Sequence, residues 1–261
     1  MVEHAMSQAK EAKHPIKSSR TTFRIVEALK ELDGAGITEV ANHLNLSKSS
    51  VHNYLDTLRH EGYVMKHGQQ YHVGLKFLEL GAYARRRRKL FEISKPEVER
   101  LADETGEVVN LLVEEQGKGI YLCREKGTKA VKLDTSTGMF VHLHQTAFGK
   151  AIMAYMDREQ VESIIDRHGL PARTDNTITD RKELFEELNR IHEQGYALDM
   201  EEYLDGLQGV AVPILNNGTT VEGAISIAGP SCRMRGERLE ETLPRKIQNA
   251  VNVIELNITH S

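Results

Sequence analysis

Lys48, Ser49, His52 and Asn53 place a cation, a hydroxyl, an imidazole and an amide within six residues. That set can donate to and accept from base edges in a major groove and can neutralise phosphate. Their spacing puts them on one side of a helix, because Val51, Tyr54, Leu55 and Leu58 recur at helical intervals and claim the other side for a core. Ser47 is an N-cap residue and Gly62 a natural stop, so the sequence predicts a helix over Ser47–Gly62. A lone amphipathic helix is more often a solvated face, so what flanks it decides its use.

A second group of residues could form a ligand site assembled from three stretches. His144-Gln145-Thr146-Ala147-Phe148-Gly149-Lys150 leads a strand end into a helix whose first amides could meet an anion. Gly195–Glu202 puts Asp199, Glu201 and Glu202 just after a helix stop. Ser226-Ile227-Ala228-Gly229-Pro230 ends a strand in small residues, which leave room for a ligand. Catalytic signatures are absent: no Gly-x-Ser-x-Gly elbow, phosphate loop, His-Glu-x-x-His or Cys-x-x-Cys occurs. His142 and His144 would share a side of a strand, but they lack a third ligand in recognisable spacing, so no metal or cofactor is expected.

The elements that would position these residues follow in order. Thr21 or Thr22 is expected to cap a first helix with Phe23, Ile25, Val26, Leu29 and Leu32 inward. Asp33-Gly34-Ala35-Gly36 stops it, and a short helix begins at Ile37-Thr38. With the Ser47 helix these make a helix-turn-helix. Tyr63–Lys66 and Tyr71–Gly74 alternate like paired strands about a turn at His67–Gln70, which is where a wing would lie. A linker helix is expected over 75–90 and runs into Arg85-Arg86-Arg87-Arg88-Lys89. Ser94 and Glu97 have capping-box spacing before the next helix. Beyond it, strands at Val108–Glu114, Gly119–Arg124, Val131–Leu133, Phe140–Leu143, Gly209–Leu215 and Val221–Ala228 alternate with helices. Those begin at Ala147, after Asp157 and after Thr179, and a last one covers Glu237–Leu256. Hairpins before and after a helical block imply α+β, an antiparallel sheet flanked by helices.

The 261 residues suit two domains, and charge is unevenly shared. Residues 1–89 hold 15 Lys+Arg against 9 Asp+Glu, while the remainder holds 19 against 29. A basic N-terminal third on an acidic remainder suits a nucleic-acid module joined to something that does not bind nucleic acid. Only Cys123 and Cys232 occur, far apart, which excludes a disulfide framework and points to a reducing cytoplasm. No apolar run is long enough to span a bilayer, and the polar first 18 residues read as a tail.

The chain resembles the IclR family of transcriptional regulators from about Thr21 to its last helix. The matching stretches are Leu46–His52, Glu61-Gly62-Tyr63-Val64, Leu75–Arg85, Leu101–Gly106, Thr146–Lys150, Gly195–Glu202 and Gly229–Met234. The resemblance implies a winged helix-turn-helix (residues 19–74), a linker helix (75–90) and a GAF-like effector domain (91–261). It also implies a homodimer or homotetramer on double-stranded DNA, reading a near-palindromic operator and answering to an organic acid, aromatic or sugar derivative. Lys48, Ser49, His52 and Asn53 would approach bases. Ser47, Ser50 and Arg59 would hold phosphate, and His67 and Gln69 would touch DNA from the wing. Carried over, the amides of Ala147 and Phe148 would take an effector carboxylate or similar oxygen, with Asp199 and Ser226 as polar contacts. Gly209 stands where the family often has Cys, and Ala228 where a hydroxyl is common, which favours a bulkier or less polar effector. The rival expectation is a metabolite-processing enzyme that kept a helix-turn-helix as an interaction module.

Overall fold

The computed structural model describes residues 13–133 and 135–260; the start of the predicted tail lies outside them. They form two compact units that divide between Arg87 and Arg88.

The first unit comprises α1 (Lys17–Glu31), α2 (Ile37–Leu44), α3 (Lys48–His60), β1 (Val64–His67), β2 (Gln70–Val73) and α4 (Lys76–Arg86). Ile25, Leu29, Val40, Ala41, Val51, Leu55, Leu58, Val64 and Tyr71 share one core. Two tight turns set the three helices on it, with Gly34 (φ 95°) after α1 and Asn45 (φ 53°) between α2 and α3. Ala35 pairs with Tyr71, which ties the first turn to the hairpin. α1 starts earlier than Thr21: that hydroxyl and the one of Thr22 bond back to the carbonyls of Lys17 and Ser18 instead of capping. Phe23, expected inward, is 64% exposed, because Ile25, Ala28 and Leu29 already fill the buried face. The linker helix is shorter than 75–90. It ends at Arg86, and Arg88 is extended (φ −85°, ψ 101°), so the four arginines are split by a break.

The second unit runs α5 (Lys89–Thr105), β3 (Val108–Glu115), β4 (Lys118–Lys126), β5 (Phe140–His142), a 3-10 turn (Leu143–Gln145), α6 (Ala147–Met153) and α7 (Arg158–His168). It continues with α8 (Arg181–Gln194), β6 (Ala197–Met200), β7 (Leu207–Asn216), β8 (Thr220–Pro230), a π turn (Arg238–Thr242) and α9 (Leu243–Thr259). The strands form one antiparallel sheet in the order β5-β4-β3-β8-β7-β6. α5 and α9 pack on one face through Leu101, Ile247, Val251 and Ile254. α6, α7 and α8 cover the other through Ala151, Ile152, Ile165, Leu184 and Leu188.

Local sequence signals misplace several boundaries here. Ser94 is fully buried inside α5, not at its start, and Pro96 sits within the helix; packing of Leu90 and Phe91 extends α5 back to Lys89. Residues 131–133 form no strand, and Asp180 rather than Thr179 caps α8, its carboxylate accepting the Glu183 amide at 2.9 Å. β6 lies where only a turn was expected.

β4 contains one irregularity that matters for the site. Leu111 pairs with Cys123 and Leu112 with Tyr121, so Leu122 is an extra residue in the ladder. Strict alternation would put Tyr121 on the face of Cys123. The bulge turns it to the opposite face instead.

Candidate functional site

On α3 the expected stripe is present. The Ser47 hydroxyl accepts the Ser50 amide at 3.1 Å and starts the helix. Lys48, Ser49, His52, Asn53, Asp56, Arg59 and His60 are all exposed, whereas Val51, Leu55 and Leu58 are buried. At ~100° per residue the exposed set occupies a single arc of about 140°. Asp56 within that arc is neutralised by Arg59 at 2.9 Å, a contact that holds the carboxyl below its ordinary range. Ser50 is half-buried, and His67 and Gln69 are exposed at the hairpin turn, with Gly68 (φ 60°) between them.

The effector residues named from the sequence lie on one side of the second unit. Thr146 caps α6 by accepting the Gly149 amide at 3.2 Å, and the amides of Ala147 and Phe148 are taken up by no described residue. Asp199 on β6 is opposite Gly209 on β7, which is opposite Ala228 on β8. A Cβ at Gly209 would lie 3.1 Å from the Ile227 carbonyl oxygen, so this row is close-packed. In the next row Ser226 stands between Ala211 on β7 and Asn110 on β3, and Arg124 on β4 follows Asn110. Cross-strand partners share a face, so Asp199, Ser226, Asn110, Arg124 and Tyr121 all point to the side that α6 covers.

Asp199 is buried, and that burial pushes its carboxyl up to about 7; Glu202 adds to the rise, while Lys150 and two backbone bonds oppose it. Its Oδ1 accepts the amides of Glu202 at 2.8 Å and Tyr203 at 3.4 Å. Lys150, 1% exposed, donates to Glu202 at 2.5 Å and Glu187 at 3.2 Å. One buried cation therefore serves a cluster of carboxylates, and burial raises both Asp199 and Glu202.

Sequence reading missed the other side of this region. The Nε and Nη2 atoms of Arg124, Oδ1 of Asn110, the Thr135 hydroxyl and Glu202 Oε2 are all buried without a hydrogen-bond partner. Each such orphan costs about 1–3 kcal/mol. Arg124 makes one bond, from Nη1 to the Thr135 carbonyl at 3.1 Å, and burial lowers its pKa. Asn110 donates to Ser226 Oγ at 3.2 Å, which leaves Oδ1 as the free acceptor. Tyr121 stacks edge-on against Phe148 at 5.3 Å, and its hydroxyl feels Tyr203, Arg124, Asp199 and Arg173. Arg173 lies over the Tyr203 ring at 4.0 Å. Glu202 is in view from the Gly195–Glu202 stretch; for the others the sequence signal is Asn110, a polar residue inside the apolar run Val108–Val113. Asn110 and Arg124 supply polar groups on this face that Gly209 and Ala228 do not.

His142, His144 and His168 approach one another, with ring centroids 5.7 and 6.2 Å apart. His144 is in the 3-10 turn, not on the strand as expected, and burial lowers all three, His142 to about 4. Among the described residues no group of three or more His, Cys, Asp or Glu could hold a metal ion. No described helix is long and apolar enough to cross a membrane.

Two family models match the chain in the order the units follow. The IclR helix-turn-helix domain covers residues 21–68. The bacterial transcriptional regulator IclR C-terminal region covers 82–255. The chain belongs to the IclR family. IclR-family regulators are ligand-responsive, DNA-binding transcription factors that control metabolic genes, and this is one of them. It is 32% identical to the HTH-type transcriptional regulator KdgR of Escherichia coli, over 87% of each chain. The crystal structure of the Thermotoga maritima IclR matches with a TM-score of 0.77 at 27% identity, over 93% of this chain and 98% of that one. An IclR homolog from Microbacterium hydrocarbonoxydans, solved with 4-hydroxybenzoate, shares the fold at 21% identity (TM-score 0.77, 92% and 100% covered).

Proposed function

We propose that residues 19–74 read a near-palindromic operator, that 91–261 hold a metabolite, and that the segment 75–90 couples the two in a homodimer or tetramer. The observation that carries this reading is the single exposed polar arc of α3 in a basic unit. Lys48, Ser49, His52 and Asn53 reach base edges, Ser47, Ser50 and Arg59 lie along phosphate, and His67 and Gln69 meet the backbone or minor groove. Two copies would place their recognition helices about 34–36 Å apart, one turn of duplex. α4 has no buried residue of its own and exposes Leu78, Leu80 and Tyr83, apolar surface that a second copy would cover.

The effector sits against Ala147, Phe148, Asp199, Gly209 and Ser226. It is an organic acid, an aromatic or a sugar derivative; the 4-hydroxybenzoate of one homolog is both acid and aromatic. The protein works in the cytoplasm and turns over no substrate. The test is a mobility shift of DNA from its own upstream region, with and without metabolites that raise its melting temperature. Retarded DNA, released or tightened by such a metabolite that itself stays unchanged, is the expected result. Conversion of the metabolite, or no retardation at any salt concentration, would overturn the reading.

A further inference from the structure

The unpartnered atoms around Arg124 have a common chemistry. Nε and Nη2 of one guanidinium are adjacent, parallel donors, the fork that pairs two-pronged with a carboxylate. No described carboxylate pairs with Arg124, whereas even the fully buried Glu107 has a partner in Arg233, at 2.7 Å. The Thr135 hydroxyl is also unsatisfied. Asn110 has committed its amide group to Ser226 and offers Oδ1, an acceptor that needs a donor such as a ligand hydroxyl. Asp199 faces the same side, and a carboxyl that keeps its proton can donate to a ligand oxygen.

Resting on the effector reading above, we infer that Arg124 binds the carboxylate of the effector, and that the effector is a hydroxylated acid. Its hydroxyl donates to Asn110 Oδ1, and its far polar end lies at Asp199 and the α6 amides. This reverses the orientation the family resemblance implies, in which the acid group meets the amides of Ala147 and Phe148. Those amides and Asp199 take a hydroxyl or carbonyl oxygen instead. Arg124 is then a specificity residue: it selects acids over the corresponding alcohols.

The probes are D-gluconate against D-glucitol, and 4-hydroxybenzoate against 4-hydroxybenzyl alcohol, read by thermal shift and calorimetry on the full chain. The expected result is that at least one acid binds, that its neutral alcohol does not, and that Arg124→Met weakens the acid roughly ten- to a hundredfold. Arg124→Lys keeps the charge without the fork and falls between. Without ligand, Arg124→Met should melt at the same temperature or higher, because it removes a half-buried cation with two unpartnered donors. A structural arginine would lower it, and that outcome overturns the inference. So do equal binding of acid and alcohol, undiminished binding by Arg124→Met, and failure of both acids to bind. Asp199→Ala separates the two readings. If it abolishes binding that Arg124→Met leaves intact, the effector site stands and the Arg124 role falls. If neither variant weakens a bound acid, the effector site itself is misplaced.

Discussion

An aspartate in water titrates near 3.8, and burial carries Asp199 to about 7. A raised carboxyl means the folded chain holds a proton that the unfolded chain releases. Its contribution is therefore least unfavourable below about 4, grows more unfavourable as pH rises from there to about 7, and then levels. Asp199→Asn keeps an oxygen for the amides of Glu202 and Tyr203 and removes the titration. It should gain about 2–3 kcal/mol more over the parent at pH 8 than at pH 5, on the scale of ~1.4 kcal/mol per pH unit. Urea unfolding at the two pH values measures this, and an equal effect at both would refute it. The same proton bears on binding. A ligand oxygen that accepts from neutral Asp199 should bind more weakly above pH 7, while the side-chain amide of the Asp199→Asn variant should hold it evenly.

At the scale of elements, α6 is the piece that brings the helix amides onto the sheet. Gly149 makes that approach possible: a Cβ there would stand 2.1 Å from the Leu143 carbonyl oxygen and 2.5 Å from its Cα. Gly149→Ala must push α6 off the 3-10 turn and should cost about 1–3 kcal/mol or more. Thr146→Ala, which removes the cap and a long bond to the Leu143 carbonyl, should cost about 1 kcal/mol. Denaturant titration of the two variants orders them, and a Gly149→Ala protein as stable as its parent would contradict the packing described. These elements differ in how much of them a sequence discloses. α3 could be read from residues alone, because a cap, a helical period and a glycine stop are all local. The β7–β8 hairpin was readable from Asn216-Asn217-Gly218 for the same reason. α1, α5 and the break at Arg87 were not, since buried contacts of Ile25, Leu90 and Phe91 decide where those helices run. Asp199 and Ser226 lie in stretches that the residues themselves single out, and the resemblance gave them roles as effector contacts. Arg124, Tyr203 and Tyr121 were missed, because their place depends on strand register and on one extra residue.

At the scale of the whole molecule, the proposed function puts DNA contact and ligand contact in separate units, so each should be open to impairment alone. Lys48→Ala should weaken binding to every sequence and flatten its salt dependence by about one unit of slope. Asn53→Ala should instead erode discrimination between operator and random DNA, by about 1–3 kcal/mol. Mobility shifts at two salt concentrations with both DNAs distinguish the pair, and neither variant should alter ligand-induced melting shifts. The bulge at Leu122 has a wider consequence for how such a chain can vary. β4 reads in two frames: Arg124 and Cys123 keep one parity, Tyr121 and Ile120 keep the other, and Leu122 is the spare letter between them. Removing that letter would merge the frames without moving either word. Tyr121 would stay opposite Leu112 and Arg124 opposite Asn110, and the loss would fall on the core beneath α5, where Leu122 packs. A deletion inside a sheet strand, ordinarily the most damaging edit, would here leave Tyr121 and Arg124 in place. Adding a residue anywhere else between Tyr121 and Arg124 would not.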